Sequence, residues 1–321
     1  MTDTNAAAPA ATAAVANANS SIIKARSRRS ARYGWAFLGP FALLFIAIFL
    51  VPIFTSIYES FFLKKSTGGL YGTSKLTFVG FENYNFVLHD ERFWQGMGRV
   101  LLFGAFQIPI MIFGALGLAL LLDSLAAKFI GFYRLSYFLP YAIPGVVAAM
   151  VWTYLYNPTL SPIMKGLSAL GINVDPFASN VVLVSMANMT TWTFTGYNML
   201  IFLAALQSIP HDLYEAARID GATDWTIVKR IKVPMVRNAA LLAVLLSIIG
   251  TVQLFNEPTV MATVQPAMGA AYTPMMLAYN TAAGTISPSG SGPASAVSIV
   301  MAILSGIMAA IYAIVQKKLD K

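Results

Sequence analysis

The residues of this chain that could do chemistry are few, and none has the spacing of a catalyst. The two histidines, His89 and His211, lie too far apart for a histidine metal site. The absence of cysteine removes disulfides, iron–sulfur clusters and thiolate zinc sites. No Gly-x-x-x-x-Gly-Lys-[Ser/Thr] loop is present, nor any Gly-Lys pair, so the chain has no phosphate-cradling loop of its own. Two polar groupings remain. One is Glu215-Ala216-Ala217 followed by Asp220-Gly221-Ala222, whose chemistry is docking by charge and by close backbone approach. The other is Tyr197 and Asn198 with Thr251, Gln253, Asn256 and Glu257, whose chemistry is hydrogen bonding and aromatic stacking.

The elements that must position these groups are set by composition. Of 321 residues, 57% are hydrophobic and only 11% charged, with a mean hydropathy of +0.67, whereas a soluble domain carries about 25% charged residues. Such a chain reads as all-α and polytopic, spanning a membrane. A spanning helix needs about 20 apolar residues, and six stretches qualify: Trp35–Leu63, Met97–Leu122, Leu135–Tyr156, Val181–Leu206, Ala239–Met261 and Ala294–Val315. Pro40 and Pro52 predict a tilt or kink in the first; Pro109 in the second and Pro140 and Pro144 in the third are tolerated in membrane helices. Residues 1–33 read as a disordered basic arm, an Ala/Asn/Thr tract followed by Lys24, Arg26, Arg28, Arg29 and Arg32. The apolar run after these arginines is too long for a signal-peptide core. No aromatic side chains interleave them, so the cluster reads as a topology signal and no nucleic-acid partner is expected. With both termini cytoplasmic, the inner segments carry 15 of the 21 Lys and Arg against seven acids, and the outer segments six against six. The whole formal charge of +8 falls on one face, which selects an N-in, C-in arrangement in the cell membrane. Residues 34–321 then form one transmembrane domain with a cytoplasmic loop over 207–238.

The span interiors are nearly free of ionisable groups; Glu59 and Glu257 lie near outer ends, and no helix carries an arginine ladder. A carrier driven by an ion gradient would keep such groups, so the chain reads as a passage whose energy comes from elsewhere. The 207–238 loop holds nine charged residues. At about 3 kcal/mol each in mid-bilayer, they oppose insertion by on the order of 27 kcal/mol, which puts the loop in water or against a soluble partner. Its pattern predicts two helices. Ser208 caps the first, with Pro210 in its first turn, and Leu213, Ala216, Ala217 and Asp220 share one face. Gly221 ends it where a left-handed residue is wanted, Thr223 caps the second, and Pro234 marks the bend into the fifth span. A small-residue face flanked by acids suits a protein groove better than a lipid surface.

In the fourth span, Asn188, Thr190, Thr191, Trp192, Thr193, Thr195, Tyr197 and Asn198 are unusually polar; in the fifth, Ser247 and Thr251 share one face and Gln253, Asn256 and Glu257 form the next stripe. Isolated Ser and Thr in membrane helices bond their own i−4 carbonyls or glue helices together. The cluster of Tyr197, Asn198, Gln253, Asn256 and Glu257 is harder to place in lipid and marks a pathway. Trp152, Tyr154 and Tyr156 read as an interfacial aromatic belt.

The loop Glu215-Ala-Ala, Asp220-Gly-Ala, Ile231 and Pro234 resembles the "EAA" loop of permease subunits of binding-protein-dependent ABC importers, patterned roughly EAAxxDGAxxxxxFxxIxLPxxxP. Val228, Val233 and Asn238 depart from it. Phe78-Val-Gly-Phe-Glu-Asn-Tyr84, Arg92-Phe-Trp94, Tyr137-Phe-Leu-Pro140 with Ile143-Pro144, and Gly196 to Pro210 resemble the sugar branch, the first permease of maltose- and glycerol-phosphate-type systems. The likeness covers Trp35 to Val315 and implies a type I ABC importer permease fold. It further implies that the loop is a coupling helix seated in an ATPase cleft. Glu215 would be the ionic anchor, Ala216 and Ala217 the close-packing face, Asp220 a turn-stabilising acid and Gly221 the hinge, with Ala222 completing the coupling motif. The implied partners are a second homologous permease, two ABC ATPase subunits that hold the ATP and magnesium, and an extracytoplasmic solute-binding protein. The implied cargo is a sugar or related polyol, with no cofactor and no catalysis on this chain. The competing expectation is an ion-coupled secondary carrier acting alone.

Overall fold

The computed structural model describes residues 33–67, 73–124 and 129–319. Of the arm read over 1–33, residues 1–32 lie outside the described residues, as does Lys128, and Tyr33 belongs to the first helix instead. The chain divides into two compact units, one ending at Tyr58 and the other running from Glu59 onward.

The described part of the first unit is α1 (Tyr33–Glu59), whose last residue opens the second unit; it is one apolar helix, 27 residues long with a π-helical stretch at Ile46–Leu50. Phe41, Phe45 and Phe49 stack down one side at the i, i+4 spacing of a helix face, with ring centroids 5.9 and 5.4 Å apart. The helix reading of the first span therefore holds to Glu59 but not to Leu63.

The second unit opens with a hairpin, β1 (Phe62–Thr67) paired antiparallel with β2 (Thr73–Phe78) in the register Phe62↔Phe78, Lys64↔Leu76, Lys65↔Lys75. The helix-period reading missed it, because Phe62 and Leu63 continue an apolar run and the Lys-Lys-Ser-Thr that follows is polar throughout, with no alternation to mark a strand. Asn83 pins its base by donating to the Ser60 and Phe62 carbonyls at 2.8 and 2.9 Å.

Thereafter the unit is helical: α2 (Glu82–His89), α3 (Glu91–Ser124), α4 (Ile130–Phe138), α5 (Gly145–Tyr156), α6 (Pro162–Ala169), α7 (Val182–Gln207), α8 (His211–Ile219), α9 (Asp224–Ile227), α10 (Arg237–Val252), α11 (Asn256–Met261), α12 (Pro274–Ala282) and α13 (Ser291–Leu319). At 1.5 Å per residue the 34 residues of α3 reach about 51 Å, passing through Pro109 without a break. It packs lengthwise on α7. Met111, Ile112, Ala115 and Ala119 meet Met199, Phe202, Leu203 and Leu206 in one buried cluster. A second cluster joins α2, α3, α12 and α13 around Phe93, Leu277 and Val297. A third joins α3, α5, α7 and α11 around Phe103, Met186 and Met261.

Two expected spans are not continuous helices. The third is two helical pieces, Ile130–Ala142 and Gly145–Tyr156, meeting at 97°. Leu139–Ala142 tightens to a 3-10 turn, and Ile143 is extended because Pro144 disfavours helix in the residue before it. The fifth breaks between Val252 and Asn256. In a helix running on from Leu254, Pro258 would clash with the Leu254 carbonyl four residues back; with the break, Pro258 falls in the first turn of α11 and that carbonyl accepts from Thr273 Oγ1 at 3.0 Å. Thr273 also caps α12 by accepting from the Met276 amide.

Among the described residues, four helical segments are long and apolar enough to cross a membrane, Tyr33–Glu59, Glu91–Ser124, Arg237–Met261 taken across its break, and Ser291–Lys318, and the bent third span makes up to five. The 26-residue α7 is long enough, but its Thr, Asn and Tyr residues keep it below that apolarity. Twelve of its 26 residues are buried, Thr193 and Asn198 among them, so part of that polarity is enclosed by protein, where it costs less than in lipid.

Candidate functional site

The 207–238 loop is built from local signals. Pro210, extended at ψ 133°, is the residue that opens α8. Ser208 does not cap it as expected; it closes α7 and donates from its hydroxyl to the Ala205 carbonyl at 2.7 Å. At the other end Gly221 has φ +85°. The Ala222 amide reaches back to the Ala217 carbonyl at 2.9 Å and the Gly221 amide to Arg218 at 3.0 Å. This is the Schellman closure that a glycine in the left-handed region permits. Thr223 then caps α9, accepting from the Thr226 amide at 3.3 Å. The turn is bridged by an exposed Arg218–Asp224 ion pair at 3.1 Å. Asp220, expected to stabilise the turn, makes no side-chain bond among the described residues.

What this rigid corner presents is uncovered. Ile219 is 86% exposed and Trp225 74%, and Leu213, Glu215 and Ala216 are exposed beside them. Glu215 enters none of the four ion pairs among the described residues. The opposite side of α8 is anchored: Tyr214 packs on the α3–α7 cluster, and His211 meets its ring edge-on at 5.9 Å. Burial, then the charge of Asp123, pushes the Tyr214 phenol above its ordinary value of 10.0. Beyond α9 the chain makes a π-turn, Val228–Lys232, and a short helix, Val233–Met235, before α10. Pro234 therefore sits within the first turn of a helix, and the bend falls at Val236.

The pathway candidates do not form one stripe, because the fifth span breaks among them. Three pairs are brought together across elements. Thr190 Oγ1 lies 3.3 Å from Glu257 Oε1, joining α7 to α11. Asn256 faces the first residue of α5 so closely that a Cβ on Gly145 would lie 2.6 Å from its Nδ2. Tyr197 stacks on Tyr141 with centroids 4.7 Å apart and planes at 18°. Gln253 is exposed at the break itself.

Two candidates sit elsewhere. Asn198 is buried, donating to the Phe194 carbonyl at 3.0 Å and touching Met111 of α3. Thr251 presses its methyl on Gly104, where a Cβ would lie 2.9 Å away. It lines an apolar cavity of about 320 Å³ with Ala105, Ile108, Val244 and Ile248. Most span hydroxyls bond their own helix: Thr193 to Met189, Thr195 to Thr191 and Ser247 to Ala243.

The aromatic belt needs correction. Only Tyr154 points outward, at 52% exposure. Trp152 and Tyr156, one turn apart, face inward: Trp152 meets Trp192 edge-on at 5.7 Å, and the Tyr156 hydroxyl donates to the Ser185 carbonyl and accepts from Asn188 Nδ2. The Trp152 Nε1 and Thr259 Oγ1 atoms are buried without a partner among the described residues. Tyr141 was invisible to a search for polar stripes, since it sits in the 3-10 turn; the flanking Pro140 and Pro144 were the available signal.

Residues 40–321 match the family described as binding-protein-dependent transport system inner membrane component, and the chain belongs to that family of membrane permeases. Two relatives define the neighbourhood. The lactose transport system permease protein LacF of Rhizobium radiobacter is 33% identical over 230 residues, 70% of this chain and 74% of that protein. The sulfoquinovosyl glycerol transport system permease protein SmoG of Agrobacterium fabrum (strain C58) is 30% identical over 277 residues, 86% of this chain and 87% of that one. The fold is shared with a chain in the crystal structure of a bacterial ABC transporter involved in the import of alginate, at a TM-score of 0.73 and 18% identity, covering 91% of this chain and 98% of that one.

Proposed function

We propose that the chain is the membrane-spanning subunit of an ATP-driven importer that passes a sugar or related polyol delivered by an extracytoplasmic binding protein. It works beside a second, homologous permease and two ATPase subunits, which hold the nucleotide and magnesium. The observation that carries this reading is the α8–α9 corner: a glycine-closed turn, anchored on one side by Tyr214, that leaves Glu215, Ala216, Ile219 and Trp225 uncovered. An apolar and acidic face on a rigid corner has the makings of a protein docking site. The chain has no nucleotide loop of its own, and the permeases it resembles are named for lactose and sulfoquinovosyl glycerol transport.

Six spans, with α7 as the fourth, and both termini cytoplasmic follow from the charge asymmetry and put the corner on the ATPase side. Tyr141, Thr190, Tyr197, Gln253, Asn256 and Glu257 line the pathway, offering aromatic faces and hydrogen-bonding groups to a polyhydroxylated cargo, while Asn198 and Thr251 hold helices together. Glu215→Lys tests the docking role. A tagged variant chain, inserted normally in the membrane, should retain roughly tenfold less ATPase subunit than the parent on mild-detergent purification. Undiminished capture would remove Glu215 from the interface.

A further inference from the structure

A docking corner moves cargo only if its displacement reaches the spans. Three side chains from three separate elements converge beneath it. Lys232 closes the π-turn after α9, and its Nζ lies 2.6 Å from Asp123 Oδ2, near the end of α3, and 5.2 Å from the centre of the Tyr214 ring on α8. The two charged side chains are only 11% and 15% exposed. The other ion pairs among the described residues either are exposed on both sides or join Asp90 to its near neighbour Arg92. The Tyr214 hydroxyl beside this pair is buried with no partner among the described residues.

A buried ion pair is a poor source of stability, because desolvation offsets most of its attraction, and apolar side chains of equal volume do as well. What it supplies instead is direction. A short charge-assisted bond holds one register, where an apolar contact lets surfaces slide. The π-turn adds the same hint, since such insertions in helices concentrate at working sites. Asp123 ends the helix that packs along α7, and α7 carries Thr190 and Tyr197.

We propose that Asp123, Lys232 and Tyr214 form a clamp that transmits movement of the α8–α9 corner to α3 and, through its packing, to α7. This rests on the docking reading of the corner. The three are positioning residues: they touch neither cargo nor nucleotide, and their effect is on how much of a nucleotide-driven movement arrives at the pathway.

The absence of cysteine makes the test direct. A Gln253→Cys reporter at the break of the fifth span is labelled with a fluorescent maleimide. The complex is purified through a tag on this chain, and labelling is measured with and without Mg-ATP and vanadate. In the parent, nucleotide changes the labelling rate. Asp123→Asn or Lys232→Met should shrink that change roughly 2- to 30-fold, with the ATPase subunits still retained. Tyr214→Phe, which keeps the ring under the ammonium, should leave it nearly intact, and the charge-reversed pair Asp123→Lys with Lys232→Asp should restore most of it. An undiminished response in both single variants, or a reversed pair no better than the worse single variant, overturns the clamp and leaves the docking reading standing. A parent complex that retains no ATPase subunit, or does not respond to nucleotide, overturns the docking reading and the clamp with it.

Discussion

Gly196 is where the packing of α7 against α4 can be tested with one methyl group. A Cβ built on it would lie 1.8 Å from the Tyr137 carbonyl oxygen and 2.4 Å from its carbon. Real Cβ contacts essentially never fall below 3.0 Å, so α7 and α4 must part by roughly 1.2 Å, and the obstacle is backbone, which cannot rotate away. Overpacking of this kind costs about 1–3 kcal/mol, and a backbone clash belongs at the upper end. The same separation pulls Tyr197 off Tyr141, now 4.7 Å apart, forfeiting part of the roughly 0.5–1.5 kcal/mol of an aromatic pair. Set against the roughly 1 kcal/mol that alanine gains over glycine inside a helix, Gly196→Ala should lose about 2–3 kcal/mol, on the order of a 30- to 150-fold fall in the population of the packed state. Gly250→Ala is the matched control. Nothing lies within 4 Å of its built Cβ, so the substitution should be neutral or gain about 1 kcal/mol from helix propensity. The assay is the apparent unfolding midpoint in mild detergent, followed by intrinsic tryptophan fluorescence at one fixed heating rate. Equal midpoints for the two variants would refute the close approach of α7 to the Tyr137 backbone.

Three further outcomes are expected. Gly221→Ala forces a Cβ into the left-handed conformation at φ +85°, costing about 1–2 kcal/mol; amide exchange of residues 221 and 222 should quicken while that of α7 stays unchanged. Thr273→Val removes both the cap of α12 and the partner of the Leu254 carbonyl, which should lower stability by about 1–3 kcal/mol and the apparent midpoint with it. Tyr214, whose phenol is held above 10.0 by burial and then by Asp123, contributes stability that is complete below pH 10 and is lost as pH rises through its higher folded value. An alkaline loss of α8 protection in hydrogen exchange should accordingly be present in the parent and absent in Tyr214→Phe.

Legibility followed the range of the interactions. The corner was readable because its determinants are neighbours in the chain: Gly221 for a left-handed closure, Thr223 for a cap, and nine charges that lipid cannot accept. Ser208 was misplaced by two residues, since a hydroxyl that can cap the next helix can equally close the previous one. Trp152 and Tyr156 looked like a belt because aromatic residues near a span end favour an interface; which side of the helix faces protein is not a local property. Thr251 and Asn198 shared polarity with Glu257 and Asn256 but were claimed by packing against Gly104 and Met111.

Composition and order along the chain thus determined that this is an apolar helical membrane protein with a charged, glycine-closed corner, because hydropathy, turn chemistry and charge asymmetry act over a few residues or sum over all of them. The tertiary structure alone decided where the third and fifth spans break, that the break in the fifth is satisfied by a threonine 19 residues away, and that Asp123 meets Lys232 across 109 residues. Those outcomes depend on which carbonyls, charges and glycines are brought face to face when helices pack, and no single segment contains that information.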